Sequence, residues 1–191
     1  LNKNSNFKTL QEIIKKNLIK HSSTSWSQTK KLIANGWNYD LRKDLDLMTE
    51  LESIIYKLLT PFSILEDFLS LQFPLNIRLI GEECNPDQNK PYSTNNIHCD
   101  TWSGAPDDIQ QYFLYVFFKK KSSYIELFNK VNNKNVNNFK GPYKNFKINE
   151  DFLKIVEYDP YEGLLIKFDP KCPHQTIYTG AGYRLSIDFR T

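Results

Sequence analysis

The chain has 191 residues, of which 40% are hydrophobic and 14% aromatic, enough apolar material for one domain with a sizeable core and too much for a disordered segment. Its 25 basic and 22 acidic residues leave a formal charge of +3, too mild a balance to argue for nucleic acid. No apolar run approaches the ~20 residues that span a bilayer, and no secretory signal is visible.

Residues 7–20 set Leu10, Ile13, Ile14 and Leu18 at helical spacing opposite lysines, which predicts an amphipathic helix. Ser22 to Thr24 interrupt the pattern, and a shorter helix is expected over 25–36, closed by Asn35-Gly36. Residues 40–59 carry the strongest helical pattern, with Asp40 as N-cap and Pro61 as terminator. A further helical piece over 63–73 ends at Pro74. Past Pro74 the period changes. Residues 76–83 alternate as a strand, 84–96 form a turn-rich loop, and 110–118 are apolar on both faces, as a central strand is. Strands are also expected over 122–129 and 162–170, with a short helix and then a strand over 148–158. The Asn- and Lys-rich run 131–145 reads as a surface excursion. Residues 174–191 read as two strands joined through 179–182 in a hairpin-like turn. Basic clusters over 15–31 and 119–121 read as solvated surface. The whole is one domain, 1–191, with a helical N-terminal buttress (1–74) against a β core (75–191), an α+β class dominated by its sheets.

Cys84, Cys99 and Cys172 are odd in number, widely spaced and form no CxxC pair, which fits a reducing, cytoplasmic setting. Cys99 and Cys172 flank the residues of interest and read as small apolar filler rather than ligands. The chain opens on Leu1 instead of methionine, so a trimmed N-terminus and a lost export signal stay open.

Chemistry concentrates in few places. Of the three histidines, His21 lies in a polar, basic stretch and reads as surface. NIHCDTWSGAPDD (96–108) places His98 two residues before Asp100, on the same side of an extended segment. His174 follows a proline-containing turn. Two imidazoles and one carboxylate form the set that leaves positions open on non-haem Fe(II); zinc accepts the same set. The last strand alternates strictly, with Leu185, Ile187 and Phe189 on one face and Arg184, Ser186, Asp188 and Arg190 on the other. That polar face is either wet surface or the wall of a pocket, in which Arg184 offers a planar fork to a carboxylate and Ser186 a hydroxyl.

Taken together, His98-x-Asp100, His174 and Arg184-x-Ser186 resemble the signature of the Fe(II)/2-oxoglutarate-dependent oxygenases. The resemblance covers roughly residues 76–191 and implies a double-stranded β-helix, or jelly roll. It implies that His98, Asp100 and His174 are the catalytic iron ligands, that Arg184 with Ser186 holds the distal carboxylate of 2-oxoglutarate, and that O2 is the cosubstrate, with ascorbate as a supporting reductant. Related halogenases carry Gly or Ala where Asp100 stands, so the implied outcome is hydroxylation, with desaturation or ring closure as variants. HCDTWSGAP is similar to an HxDxWxGxP stretch in oxygenase-like proteins of bacterial sugar, capsule and aminoglycoside biosynthesis, which implies a small polar substrate such as a sugar, an amino acid or a related metabolite. Trp102, as a lid over the site or as core, and Arg190, as an anion holder or surface ion pair, are the candidate substrate residues. Asp107 and Asp108 read as a solvated turn or an N-cap.

Other readings compete, the first being a nucleic-acid- or protein-modifying oxygenase of the same superfamily. Nucleic-acid demethylases of the superfamily carry R-x-N-x-T-x-R on this strand; Arg184 and Arg190 match it, whereas Ser186 and Asp188 do not. A jelly-roll binding protein without activity is the second. A dinucleotide site at Gly180-Ala181-Gly182 lacks a third glycine and is followed by a strand, which excludes it.

Overall fold

A computed structural model describes residues 1, 3–35, 37–62, 71–81, 90–119 and 122–191. Among the described residues the N-terminal layer is built from three α-helices. Helix α1 (Ser5–Ser22) starts where the Asn4 side chain accepts from the amides of Asn6 and Phe7, and buries Phe7, Leu10, Ile14 and Leu18. It stops at Ser23, whose φ of 54° lies in the left-handed region. Helix α2 (Trp26–Ala34) is capped by Ser25. Helix α3 (Leu45–Leu59) buries Leu47, Met48, Leu51, Ile54, Ile55, Leu58 and Leu59. Its N-cap is Asp44, not Asp40: a 3-10 turn at Leu41–Lys43 intervenes, and Asp40 caps that turn instead. The expected helix over 63–73 falls mostly outside the described residues, as do Gly36, Cys84, Lys120 and Lys121.

Among the described residues six strands follow: β1 (Asn76–Ile80), β2 (Gln111–Phe118), β3 (Tyr124–Leu127), β4 (Leu165–Phe168), β5 (His174–Ile177) and β6 (Arg184–Arg190). The larger sheet has the order β1-β6-β2-β4 and the smaller one pairs β3 with β5; every pairing is antiparallel. Single bridges, His98 to His174 and Phe128 to Ile155, lay one further segment along each side of the smaller sheet. The class is therefore α+β, antiparallel sheets with N-terminal helices. The sheets do not close into a barrel among the described residues.

Register explains the sequence patterns. Leu185, Ile187 and Phe189 of β6 lie on one face with Leu79 of β1 and Tyr112 and Leu114 of β2, packed against the three helices. The opposite face of β2, Phe113 and Tyr115, meets Ile125 and Leu127 of β3 and Phe168 of β4. Strand β2 is thus covered on both sides, which accounts for its unbroken apolar run. Helix α2 lies so close to the end of β1 that a Cβ on Gly81 would sit 1.8 Å from the Ile33 carbonyl oxygen; glycine is required there by proximity.

Two expectations are corrected. Strands β5 and β6 are not a hairpin. They belong to different sheets, and the link between them turns through Gly180 and Gly182, at φ of 66° and 68°. The run 131–145 is not merely surface: it forms helix α4 (Lys134–Asn138) and buries Val131, Val136 and Tyr143 around Trp102. Spaced apolar residues inside a polar run are enough to anchor it. No helix among the described residues is long and apolar enough to cross a membrane.

Candidate metal centre

His98 and His174 are drawn together by sheet pairing. The His98 amide donates to the His174 carbonyl at 3.0 Å and the His174 amide to the His98 carbonyl at 2.9 Å. Each ring is then oriented locally. Nδ1 of His98 donates to the Asn96 carbonyl at 2.7 Å, and Nδ1 of His174 to the Cys172 carbonyl at 3.0 Å. These bonds assign the proton to Nδ1 and leave Nε2 as the lone-pair nitrogen, the tautomer a histidine needs to bind a metal through Nε2. Cys99 is extended (φ −110°, ψ 140°) and turns into the apolar cluster of Trp102, while Asp100 opens a 3-10 turn (Asp100–Ser103) on the His98 side. The ligand atoms of His98, Asp100 and His174 all lie within 4.8 Å of one another, and all three residues are buried.

Electrostatics favours a cation here. Burial, followed by the neighbouring His174, holds the His98 pKa well below its ordinary value, so its imidazole is neutral at physiological pH. The Asp100 Oδ2 atom is buried and accepts no hydrogen bond from the described residues. Nε2 of His174 lies 3.8 Å from its Oδ1, and the Arg190 guanidinium places Nη2 3.7 Å from Oδ2. A buried carboxylate oxygen without a donor costs free energy unless a ligand completes it.

The polar face of β6 points into the space between the sheets. Arg184 is 0% exposed, and its Nε, Nη1 and Nη2 atoms have no hydrogen-bond partner among the described residues. Its guanidinium lies 5.3 Å from the Phe113 ring centroid. Burial pushes its pKa down, yet a guanidinium keeps its charge in proteins. Ser186 Oγ, one pleat along on the same face, is also buried and unpartnered. By contrast Asp188 is satisfied: Arg78 of β1 grips it with Nε at 2.9 Å and Nη2 at 3.4 Å, and this pairing raises the Arg78 pKa. Arg190 Nε donates to Gln111 Oε1 at 2.9 Å.

A cavity of about 240 Å³ opens onto the three ligands, lined among others by Arg78, Phe113, Tyr143, Asp188 and Arg190. Larger grooves score the outer surface, but none of them carries a metal-ligand set among the described residues. Sequence reasoning missed Tyr143, whose ring stacks on His98 at 4.0 Å and 17° and whose hydroxyl donates to Ser103 Oγ at 3.1 Å. Its signal was an aromatic residue within a polar run. Arg78 was missed as well; an arginine on an alternating strand is ordinary until its partner is known. Trp102 does not line the cavity. It is 1% exposed, its Nε1 donates to the Val136 carbonyl at 2.8 Å, and Phe139 and Phe146 meet its ring edge-on, so it is a core residue under the metal centre. Asp107 pairs with Lys171 at 2.8 Å at the surface, and His21 stacks on Tyr39.

No protein-family model matches this sequence, and no curated protein is significantly similar to it.

Proposed function

We propose that the protein is a non-haem Fe(II)- and 2-oxoglutarate-dependent oxygenase that hydroxylates a small polar molecule. The observation that carries this reading is Arg184. A fully buried guanidinium with three unpartnered nitrogens costs several kcal/mol, which calls for an anion in the ligand-bound protein. A carboxylate suits the planar fork, and Ser186 Oγ is the adjacent free hydroxyl. Two histidines with Nε2 available and the uncompleted Asp100 fit an iron ion in the same way. Zinc suits the same three ligands, but a zinc hydrolase leaves Arg184 and Ser186 without a purpose.

The strand order β1-β6-β2-β4, facing a smaller sheet flanked by the 98 and 155 segments, supports a double-stranded β-helix. In this reading His98, Asp100 and His174 hold the metal, and Arg184 and Ser186 hold the distal carboxylate of the cosubstrate. Iron with 2-oxoglutarate and O2 supplies the oxidising chemistry, in which the cosubstrate is decarboxylated to succinate and CO2 as a substrate C–H bond is hydroxylated. The chain supplies orientation and dryness. Phe113, Phe168 and Tyr143 wall the cavity against water, and the carbonyls of Asn96 and Cys172 keep both imidazoles in the ligating tautomer.

The direct test is anaerobic titration of metal-free protein with Fe(II) and then 2-oxoglutarate, followed by the visible charge-transfer absorption of the chelate. Wild-type protein is expected to develop it, His174→Ala to lose it, and Arg184→Met to require far more 2-oxoglutarate. Wild-type protein that binds neither component sinks the proposal.

A further inference from the structure

The cavity at the metal centre is lined by two arginines, Arg78 and Arg190, and two aspartates, Asp100 and Asp188. The arginine side chains are 39% and 29% exposed, so both meet solvent, which Arg184 does not. Arg78 is matched, because it grips Asp188 through Nε and Nη2. Arg190 is held in another way. Gln111 Oε1 accepts from its Nε at 2.9 Å, a contact that orients the guanidinium but leaves its charge unmatched. Nη2 stops 3.7 Å from Asp100 Oδ2, outside hydrogen-bond distance. Asp100 is nevertheless the one carboxylate that pairs with Arg190 among the described residues.

That pairing belongs to the metal-free protein. In the oxygenase reading, on which this inference rests, Asp100 ligates a divalent ion. The ion's two charges are met by Asp100 and by the chelating carboxylate of 2-oxoglutarate, and Arg184 is met by the distal carboxylate. Arg78 keeps Asp188. Arg190 is then the one charged group of the loaded cavity without a counterpart among the described residues. A guanidinium beside a metal cation in a partly buried site is repelled by it, and an anion between them turns that repulsion into attraction. The far end of the cosubstrate does not reach it. Arg184 and Arg190 stand at opposite ends of β6, about 20 Å apart along the strand at ~3.4 Å per residue.

We infer that Arg190 is a specificity-determining residue of this site, and that the substrate carries an oxyanion, a carboxylate or a phosphate, which seats on its fork. Tyr92 and Tyr143 line the same cavity and meet edge-to-face at 5.3 Å, with Tyr92 52% exposed. They give the body of the substrate an apolar wall beside the charge. The unmatched positive charge also draws anions toward the opening.

Paramagnetic relaxation tests this without turnover. The full chain, in excess over Mn(II), is saturated with 2-oxoglutarate. Acetate and inorganic phosphate are then titrated in while their proton and phosphorus relaxation rates are read, with Zn(II) in place of Mn(II) as the diamagnetic blank. Saturable enhancement is expected for at least one of the two anions, and which one responds tells a carboxylate site from a phosphate site. Arg190→Gln should weaken that anion's binding roughly tenfold or more, and Arg190→Lys should restore part of it, while 2-oxoglutarate affinity stays within about threefold. Circular dichroism confirms that the variants are folded. Wild-type protein that enhances neither anion overturns the inference. So does enhancement that survives Arg190→Gln, since the anion would then sit on the metal alone. A loss of 2-oxoglutarate affinity equal to that of the anion also overturns it, because Arg190 would then hold the cosubstrate. Wild-type protein that takes up Mn(II) but no 2-oxoglutarate is a separate failure, that of the oxygenase reading, and the inference falls with it.

Discussion

Replacing Arg184 with methionine should stabilise the ligand-free protein and abolish its response to 2-oxoglutarate. The side chain is fully buried, its guanidinium nitrogens have no hydrogen-bond partner among the described residues, and the Phe113 ring lies 5.3 Å away. Methionine keeps most of the volume and removes the desolvated charge. Exchanging buried ionic groups for apolar ones of similar size yields about 1–4 kcal/mol. For a chain of this length, about 2 kcal/mol raises Tm by roughly 4–8 °C. Wild-type protein behaves in the opposite way. With a redox-inert divalent ion present, 2-oxoglutarate at about 100 times its Kd should add about 2.7 kcal/mol, and the variant should gain nothing from it. Thermal denaturation of both proteins, with and without 2-oxoglutarate, reads all four values. The reasoning fails if the ligand-free variant melts below wild type while wild type ignores 2-oxoglutarate, because Arg184 would then be structural and already satisfied.

The surrounding packing makes further commitments. Trp102→Phe should cost about 1–3 kcal/mol in urea denaturation by orphaning the buried Val136 carbonyl, while metal affinity stays within a few fold; a large loss of affinity at unchanged stability would return Trp102 to the site. Gly81→Ala should be among the most damaging single-methyl additions, at about 1–3 kcal/mol or more, because its Cβ meets the Ile33 carbonyl oxygen at 1.8 Å; a neutral result in urea denaturation refutes that approach of α2 to β1. Burial raises the Asp169 carboxyl, but Lys130 and the Lys171 amide outweigh it and hold its pKa below the ordinary value. Its contribution to stability is therefore complete above about pH 4 and fades as pH falls through the depressed value. The stability gap between wild type and Asp169→Asn should accordingly shrink on acidification; a gap independent of pH contradicts the pairing.

Much of the scaffold is local in origin and was readable as such. The 3.6-residue spacing of Leu10, Ile14 and Leu18, and the run from Leu47 to Leu59, recur as the buried stripes of α1 and α3. The strict alternation over 184–190 and the double-sided apolarity of 111–118 recur as β6 and β2. Helix starts were less legible, because Asp40 and Asp44 are both competent caps and only the intervening 3-10 turn chooses between them.

At the candidate site, local period alone settles which side chains share a face. A period of two residues puts Arg184, Ser186, Asp188 and Arg190 on one side of their strand, and an extended Cys99 puts His98 and Asp100 on one side of theirs. What those faces meet depends on contacts between segments far apart in the chain. The approach of His98 to His174 comes from the backbone bridge between two distant segments, the stacking of Tyr143 on His98 from the fold-back of a polar run, and the withdrawal of Trp102 into the core from the same fold-back. Within one strand Asp188 found Arg78, while Arg184 found no hydrogen-bond partner among the described residues. Strand alternation treats those two positions alike. Their difference arises from the neighbouring strands and the sheet opposite, whose placement is a property of long-range packing and leaves no trace in local period.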